Sequence, residues 1–276
     1  MYRKSTIRTV AVLAAALLVA AVATTAASAA GSVTAPPAIK KAGKIVFCSD
    51  MTYPPEEFLV GPNPQGSDID IGNALAKLMG VKAQFQNTGF DGIIAALLGK
   101  RCDAVISGMN DTPERRKQIS FADYLAVGMS FMVKKGNPPH VTGPASLSGK
   151  TVAVEVGTTE KNYLAALNTK LKKQGKKPVS IQVFNKDTDA ATALVTGKVD
   201  VYFADSPPVA YYIKKSGGKF QFAGKPIEVT PVGIAVRHKD PLLGAFKSGI
   251  KTLYANGQMA SILKKWQMAP FAINVK

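Results

Sequence analysis

Histidine, the commonest base and metal ligand near neutral pH, is scarce: the 276 residues hold only His140 and His238, beside proline and lysine in loop-like settings. A His-based metal site or a Ser/His/Asp triad is poorly supplied, so no catalytic residue, metal or cofactor is expected. The residues present suit the holding of ions instead. Arg115 follows Thr112 by three positions, just past a strand end. Its guanidinium fork matches a planar carboxylate; alternatively it is a surface arginine paired with Glu114, with Arg116 the solvated neighbour. Asp205 ends the apolar run Val199–Ala204 and precedes Ser206-Pro207. An acid there must be paired when buried, with a cation or as the N-cap of the helix that follows. Tyr53 and Phe90 offer aromatic faces that hold apolar stems and attract cations, or that simply pack in a core.

These residues must be positioned by elements, and the apolar pattern shows which. Ile45–Cys48 reads as a buried strand before a turn at Pro54-Pro55. Ile71, Ala74, Leu75, Leu78 and Met79 recur at helical spacing and Gly80 closes that helix. Asp91 is placed to cap a helix carrying Ile93, Ile94, Leu97 and Leu98. Ala104–Ile106 and Ser130–Lys134 read as strands. After a loop at 136–149 the pattern restarts: strand Thr151–Val156, a helix with Leu164, Leu167 and Leu171, strand Ser180–Phe184. Asp187 or Thr188 is placed to cap a helix through Leu194, and strands Val199–Phe203 and Val229–Val236 follow before two final helices. Repeated strand–helix–strand units predict an α/β fold with mostly parallel sheets, in two lobes. If the final helices pack on the first lobe, the chain crosses between lobes twice. Ligands of such sheets sit at the carboxyl ends of strands. There stand Asp50, Tyr53, Phe90, Gly108–Arg115, Thr158, Thr159 and Asp205.

The N-terminus reads as a signal peptide: basic Arg3, Lys4 and Arg8, an apolar run Val10–Ala23, then small residues to Ala29. The run is short for a spanning helix. Cleavage after Ala29 leaves 247 residues, which the pattern predicts to be exported to the periplasm; 30–43 read as a flexible leader. Three of the net +17 charges lie in the signal, so +14 remains. The lysines are scattered in ones and twos without interleaved aromatics, which reads as a solvated surface and not as a nucleic-acid interface. The two cysteines, Cys48 and Cys102, form a disulfide or remain as buried thiols on neighbouring strands.

Several stretches in order resemble the solute-binding proteins of polar-amino-acid ABC importers, the family-3 class of extracellular binding proteins. They include Cys48–Pro55, Gly66–Asp70, Phe90–Ile94, Cys102–Met109, Thr112–Arg115, Val154–Thr159, Gly197–Ser206 and Lys264–Trp266, so nearly the whole chain from 44 to 267 takes part. The resemblance implies a two-lobed periplasmic-binding-protein fold with two hinge-strand crossovers (type II). Lobe 1 would be 30–131 with 229–276, and lobe 2 would be 132–228. The implied ligand is a free polar amino acid and the implied partner a membrane-embedded ABC permease, with no nucleic acid and a monomeric chain. Arg115 would bind the ligand carboxylate with Gly108, Asn110, Thr158 and Thr159; Asp205 would bind the ammonium; Tyr53 and Phe90 would enclose the side chain. Two positions depart from the family: Glu56 replaces an aromatic or apolar residue, and Asn110-Asp111 stands where Ser or Thr is usual. Asp50, Glu56 and Asp111 together would favour lysine, arginine or ornithine. With Glu56 and Glu57 in solvent and Asp111 in a turn, glutamine, glutamate or another polar amino acid is as well served. A dehydratase of cyclic acids, with Glu56 as its odd carboxylate, and a stand-alone sensor module are the alternative functions on this scaffold.

Overall fold

The computed structural model describes residues 33–275; the expected signal peptide and its cleavage site lie outside them. The first half opens with α1 (Pro37–Ala42), β1 (Lys44–Ser49), β2 (Thr52–Tyr53), β3 (Glu57–Val60) and β4 (Asn63–Gln65). It continues with α2 (Ser67–Leu78), β5 (Lys82–Asn87), α3 (Ile93–Leu98), β6 (Ala104–Val105) and α4 (Pro113–Arg116). The long β7 (Ile119–Lys134) leads into β8 (Thr151–Glu155), α5 (Thr159–Lys173), β9 (Ser180–Phe184), α6 (Asp187–Val195), β10 (Val201–Asp205) and α7 (Ser206–Lys215). The long β11 (Phe220–Arg237) returns to α8 (Leu242–Ala255) and α9 (Gln258–Trp266). Among these described residues no helix is long and apolar enough to cross a membrane.

Eight strands form one sheet in the order β5-β1-β6-β11-β7-β10-β8-β9. β1 runs parallel to β5 and β6, and β8 runs parallel to β9 and β10. Parallel strands are covered on both faces, which explains the near-continuous apolar runs of β1, β8 and β10. Each half accordingly has two cores. Ile45, Phe47, Leu75 and Phe246 fill one face of the first half; Cys48, Ile93, Leu97 and Val105 fill the other. Phe131, Val154, Leu164 and Phe203 fill one face of the second half; Met132, Ala153, Leu194 and Tyr202 fill the other. β7 and β11 pair antiparallel from Phe220↔Lys134 to Arg237↔Ile119, so the two strands run through both halves. Their register shifts fall between Ala223 and Gly233, where bulges bend and twist a ladder. The result is a two-lobed α/β fold with two crossover strands.

Several expectations change. Residues 33–43 are no flexible leader: α1 forms there, Val33, Ala35 and Ile39 enter the first core, and the Val33 amide donates to Leu78. Asp91 does not cap a helix; it sits inside a short 3-10 turn whose cap positions are Gly89 and Ile93. Asp187 is not a cap either, because it is the first residue of α6 and its carboxylate faces inward to Tyr202. The final helices join the first half, where Trp266 and Lys265 reach Asp70 of α2. The hairpin sheet β2-β3-β4 was not legible in the pattern. It brings Glu56 and Glu57 inward, since the start of α2 donates to the carbonyls of Pro55 and Glu56. Gly66 permits this approach, with φ +134° and a would-be Cβ only 1.9 Å from the Glu56 carbonyl. Cys48 and Cys102 are disulfide-bonded, Cα atoms 5.7 Å apart, which ties β1 to the segment entering β6.

Candidate functional site

A narrow cleft lies where strand ends of the two halves meet. The first half contributes Asp50, Tyr53, Phe90, Gly108 and Asn110; the second contributes Glu155, Thr158, Glu160 and Asp205. Asp50, Glu155 and Asp205 each follow or end an apolar strand, so the fold delivers them to the carboxyl edge of the sheet.

Arg115 is positioned by α4, whose N-cap Thr112 accepts from the Arg115 amide at 3.3 Å. The guanidinium is buried, 5.3 Å above the Phe90 ring centroid. It donates to the Asn110 carbonyl at 2.8 Å and, across the cleft, to the Gly157 carbonyl at 3.3 Å. It does not pair with Glu114. The neighbouring Arg116 points outward and binds Asp111, Nε to Oδ1 at 2.6 Å, so Asp111 does not join the cleft as a third acid.

Asp205 is buried and stands at the N-cap position of α7, yet its side chain caps nothing. It accepts from Asn110 Nδ2 at 3.3 Å, while its own amide donates to the Tyr53 hydroxyl at 3.3 Å. Asn110 thus works in both directions across the cleft: its Nδ2 faces Asp205 and its Oδ1 accepts from Thr159 at 3.1 Å. Thr158 is the N-cap of α5, accepting from the Lys161 amide. Gly108 has φ +48°, and a Cβ there would lie 3.0 Å from the Tyr53 ring.

Asp50 is buried with its oxygens engaged: Thr52 donates its hydroxyl at 2.7 Å and its amide at 3.1 Å, and the Phe90 amide donates at 2.8 Å. Glu56 is buried but is not among the cleft-lining residues, and its Oε2 has no partner. Beneath the 107–110 loop, Glu57 accepts from Ser107 at 2.8 Å, and Asp68 accepts from the Gly108 amide and the Tyr124 hydroxyl. Burial pushes both carboxyls up.

Two cleft acids escaped the sequence reading. Glu155 is 4 % exposed and Glu160 is 2 % exposed, and each has an Oε1 with no hydrogen-bond partner. Glu155 ends an apolar strand just as Asp205 does, and that signal could have found it. Glu160 looked like an ordinary acid in a first helical turn, where the dipole favours one. Burial drives the Glu155 carboxyl up to about 10, with the charges of Asp187 and Asp50 adding to it. Asp187 is pushed up to about 8 by burial, held partly in check by Tyr202. Asp205 is pushed well up by burial and by Glu160 beside it, against the pull of Asn110 and Arg115. Burial pulls Arg115 down, and Glu160 and Asp205 oppose that. The cleft is therefore rich in acids, while Arg115 and Thr159 line the neighbouring hollow and reach the cleft through Asn110.

The chain is 34% identical over 233 residues to an L-arginine-binding protein of Pseudomonas aeruginosa, covering 79% of this chain and 85% of that protein. It is 27% identical over 231 residues to an L-cystine-binding protein of Escherichia coli K12, covering 83% and 84% respectively. Among solved structures, an ancestral arginine-binding protein bound to arginine superposes with a TM-score of 0.75 at 32% identity, covering 81% of this chain and 98% of that one. Residues 45–269 match the bacterial extracellular solute-binding proteins, family 3, and the chain belongs to that family.

Proposed function

We propose that this protein is the substrate-binding component of an ABC importer, closing two lobes on a free amino acid outside the inner membrane. The observation that carries the reading is the polar bridge across the cleft. Arg115 and Asp205 come from different halves and are linked through Asn110, while Arg115 also reaches the Gly157 carbonyl of the other half. An α-amino acid offers a carboxylate for the Arg115 fork and the first amides of α5 behind Thr158 and Thr159. Its ammonium suits Asp205, and its side chain lies between Tyr53 and Phe90. Exchanging neutral carbonyls for a carboxylate adds ion–ion attraction and the bidentate fit of a planar fork to two oxygens.

Lobe 1 is 30–131 with 229–276 and lobe 2 is 132–228, divided within β7 and β11. Those strands flex as hinges, a closure for which periplasmic binding proteins are a known example. The ligand drives closure only by its preference for the closed state. Residues 1–29 are the export signal, and the exported chain works as a monomer that delivers its ligand to a membrane permease. The relatives' names, all of them binding proteins, support binding over catalysis. A thermal-shift screen of the purified protein against the twenty amino acids, ornithine and citrulline tests the reading. A raised melting temperature with one chemical class is expected. No shift with any of them refutes it, and turnover of a cyclic acid would replace it with the dehydratase reading.

A further inference from the structure

We propose that Glu155 is a second cation subsite of the cleft and that the ligand is a diamino acid, its α-ammonium at Asp205 and its side-chain ammonium at Glu155. The proposal rests on the amino-acid reading above and specifies the ligand class of that site. Glu155 lines the cleft, is 4 % exposed, and keeps Oε1 without a partner. Among the described residues the salt bridges lie elsewhere, at Asp111, Asp240 and Asp70, so no basic side chain of those neutralises it. A buried carboxylate left in that state is costly unless a cation meets it or a proton neutralises it.

The sheet separates the two acidic positions. β8 and β10 are parallel neighbours, so Glu155 and Asp205 leave the same edge. Side chains alternate along a strand. Val152 and Val154 face the α5 core while Ala153 faces the α6 core, so Glu155 continues toward the α6 side, where Asp187 lies. Val201 and Phe203 face the α5 core, so Asp205 continues toward Glu160 and Arg115 on the other side. One cleft therefore receives an acid from each face of the sheet, and a short ligand lying across the strand ends meets both.

The cation class follows from the free acceptors. A guanidinium fork wants two oxygens of one carboxylate, whereas an ammonium is a point charge served by single oxygens. Glu155 offers one unpartnered oxygen, and Asp50 adds negative charge with its oxygens already bonded. Among the described residues no three acids, cysteines or histidines are grouped to hold a metal ion. Burial keeps Glu155 protonated near neutral pH, so an incoming ammonium must displace that proton.

Calorimetry with L-lysine, L-norleucine (the same side-chain length without the ammonium) and L-glutamine tests the proposal on the wild type and on Glu155→Gln and Glu155→Leu. The wild type is expected to prefer lysine over norleucine by about 10–100-fold, the range of a charged hydrogen bond. In E155Q and E155L lysine should lose at least about tenfold more than norleucine does. Titrations in buffers of different ionisation enthalpy should show lysine releasing protons from the wild type and fewer from E155Q. Equal losses for lysine and norleucine, or unchanged proton release in E155Q, overturn the subsite. Binding of glutamine but not lysine overturns it while leaving the amino-acid reading intact; binding of none of the three overturns the subsite, and the amino-acid reading falls with it only if the full thermal-shift screen is also silent.

Discussion

Removing the Arg115 guanidinium should abolish tight binding while leaving the fold. Arg115 is buried and directs its two terminal nitrogens toward Asn110 and Gly157, one carbonyl on each side of the cleft. Hydrogen bonds to charged groups contribute about 1.5–3 kcal/mol each, so losing two to a ligand carboxylate costs about 3–6 kcal/mol. At 1.4 kcal/mol per tenfold, Arg115→Ala should raise Kd by about 10²–10⁴. Arg115→Lys keeps the charge but loses the fork, and should fall between the two. The two carbonyls left behind border the cleft and an open hollow lined by Thr112 and Gly157, where water can reach them, so the fold should survive. Isothermal titration with the amino acid found by the screen reads Kd, and thermal melting checks folding. Arg116→Ala is the control: its side chain is 60% exposed and its partner Asp111 does not line the cleft, so Kd should not move. A folded R115A protein whose Kd lies within threefold of wild type refutes the assignment.

Stability should depend on pH in a sense opposite to that of most carboxylates. Glu155 at about 10 and Asp187 at about 8 hold protons when folded that ordinary carboxylates release when unfolded. The folded chain therefore binds more protons between about pH 4 and 8, and stability falls as pH rises through that window. Without added amino acid, melting at about pH 5.5 should exceed melting at about pH 8, with a flatter slope in E155Q; the reverse order refutes the protonation scheme. The Cys48–Cys102 bond closes a loop of sequence separation 54, which the chain-entropy relation values at about 4 kcal/mol. Reduction, or the C48A/C102A pair, should lower Tm by roughly 8–16 °C at this chain size, and a drop under about 2 °C would show that the unfolded chain does not feel the tether.

The alternation of apolar runs with helical periods was enough to read an α/β chain in two series, because each strand and helix must bury its own stripe. Tyr53, Phe90, Asn110 and Asp205 were readable as candidates for a local reason, since polar or aromatic residues at the ends of apolar strands have few places to go. Arg115 was ambiguous, because a guanidinium beside Glu114 and Arg116 looks the same on a surface as in a cleft. The length of β7 and β11 was missed for a different reason. Strand Ser130–Lys134 looked short because the pattern relaxes where one strand passes from the first core to the second.

What the chain's own order of residues determined is the set of elements and the strand ends on which acids and aromatics stand. What the tertiary structure decided is which of those groups share a space. Asp111 turned out to belong to Arg116, and Glu56 was drawn inward by the carbonyls that receive the start of α2. Glu155 and Asp205, distant in sequence, line one cleft because β8 and β10 are neighbours in the sheet. A carboxylate's charge state and partner depend on the dielectric and the ions within a few ångströms of it. Those distances are set by strand order and layer packing, which no local window of sequence contains.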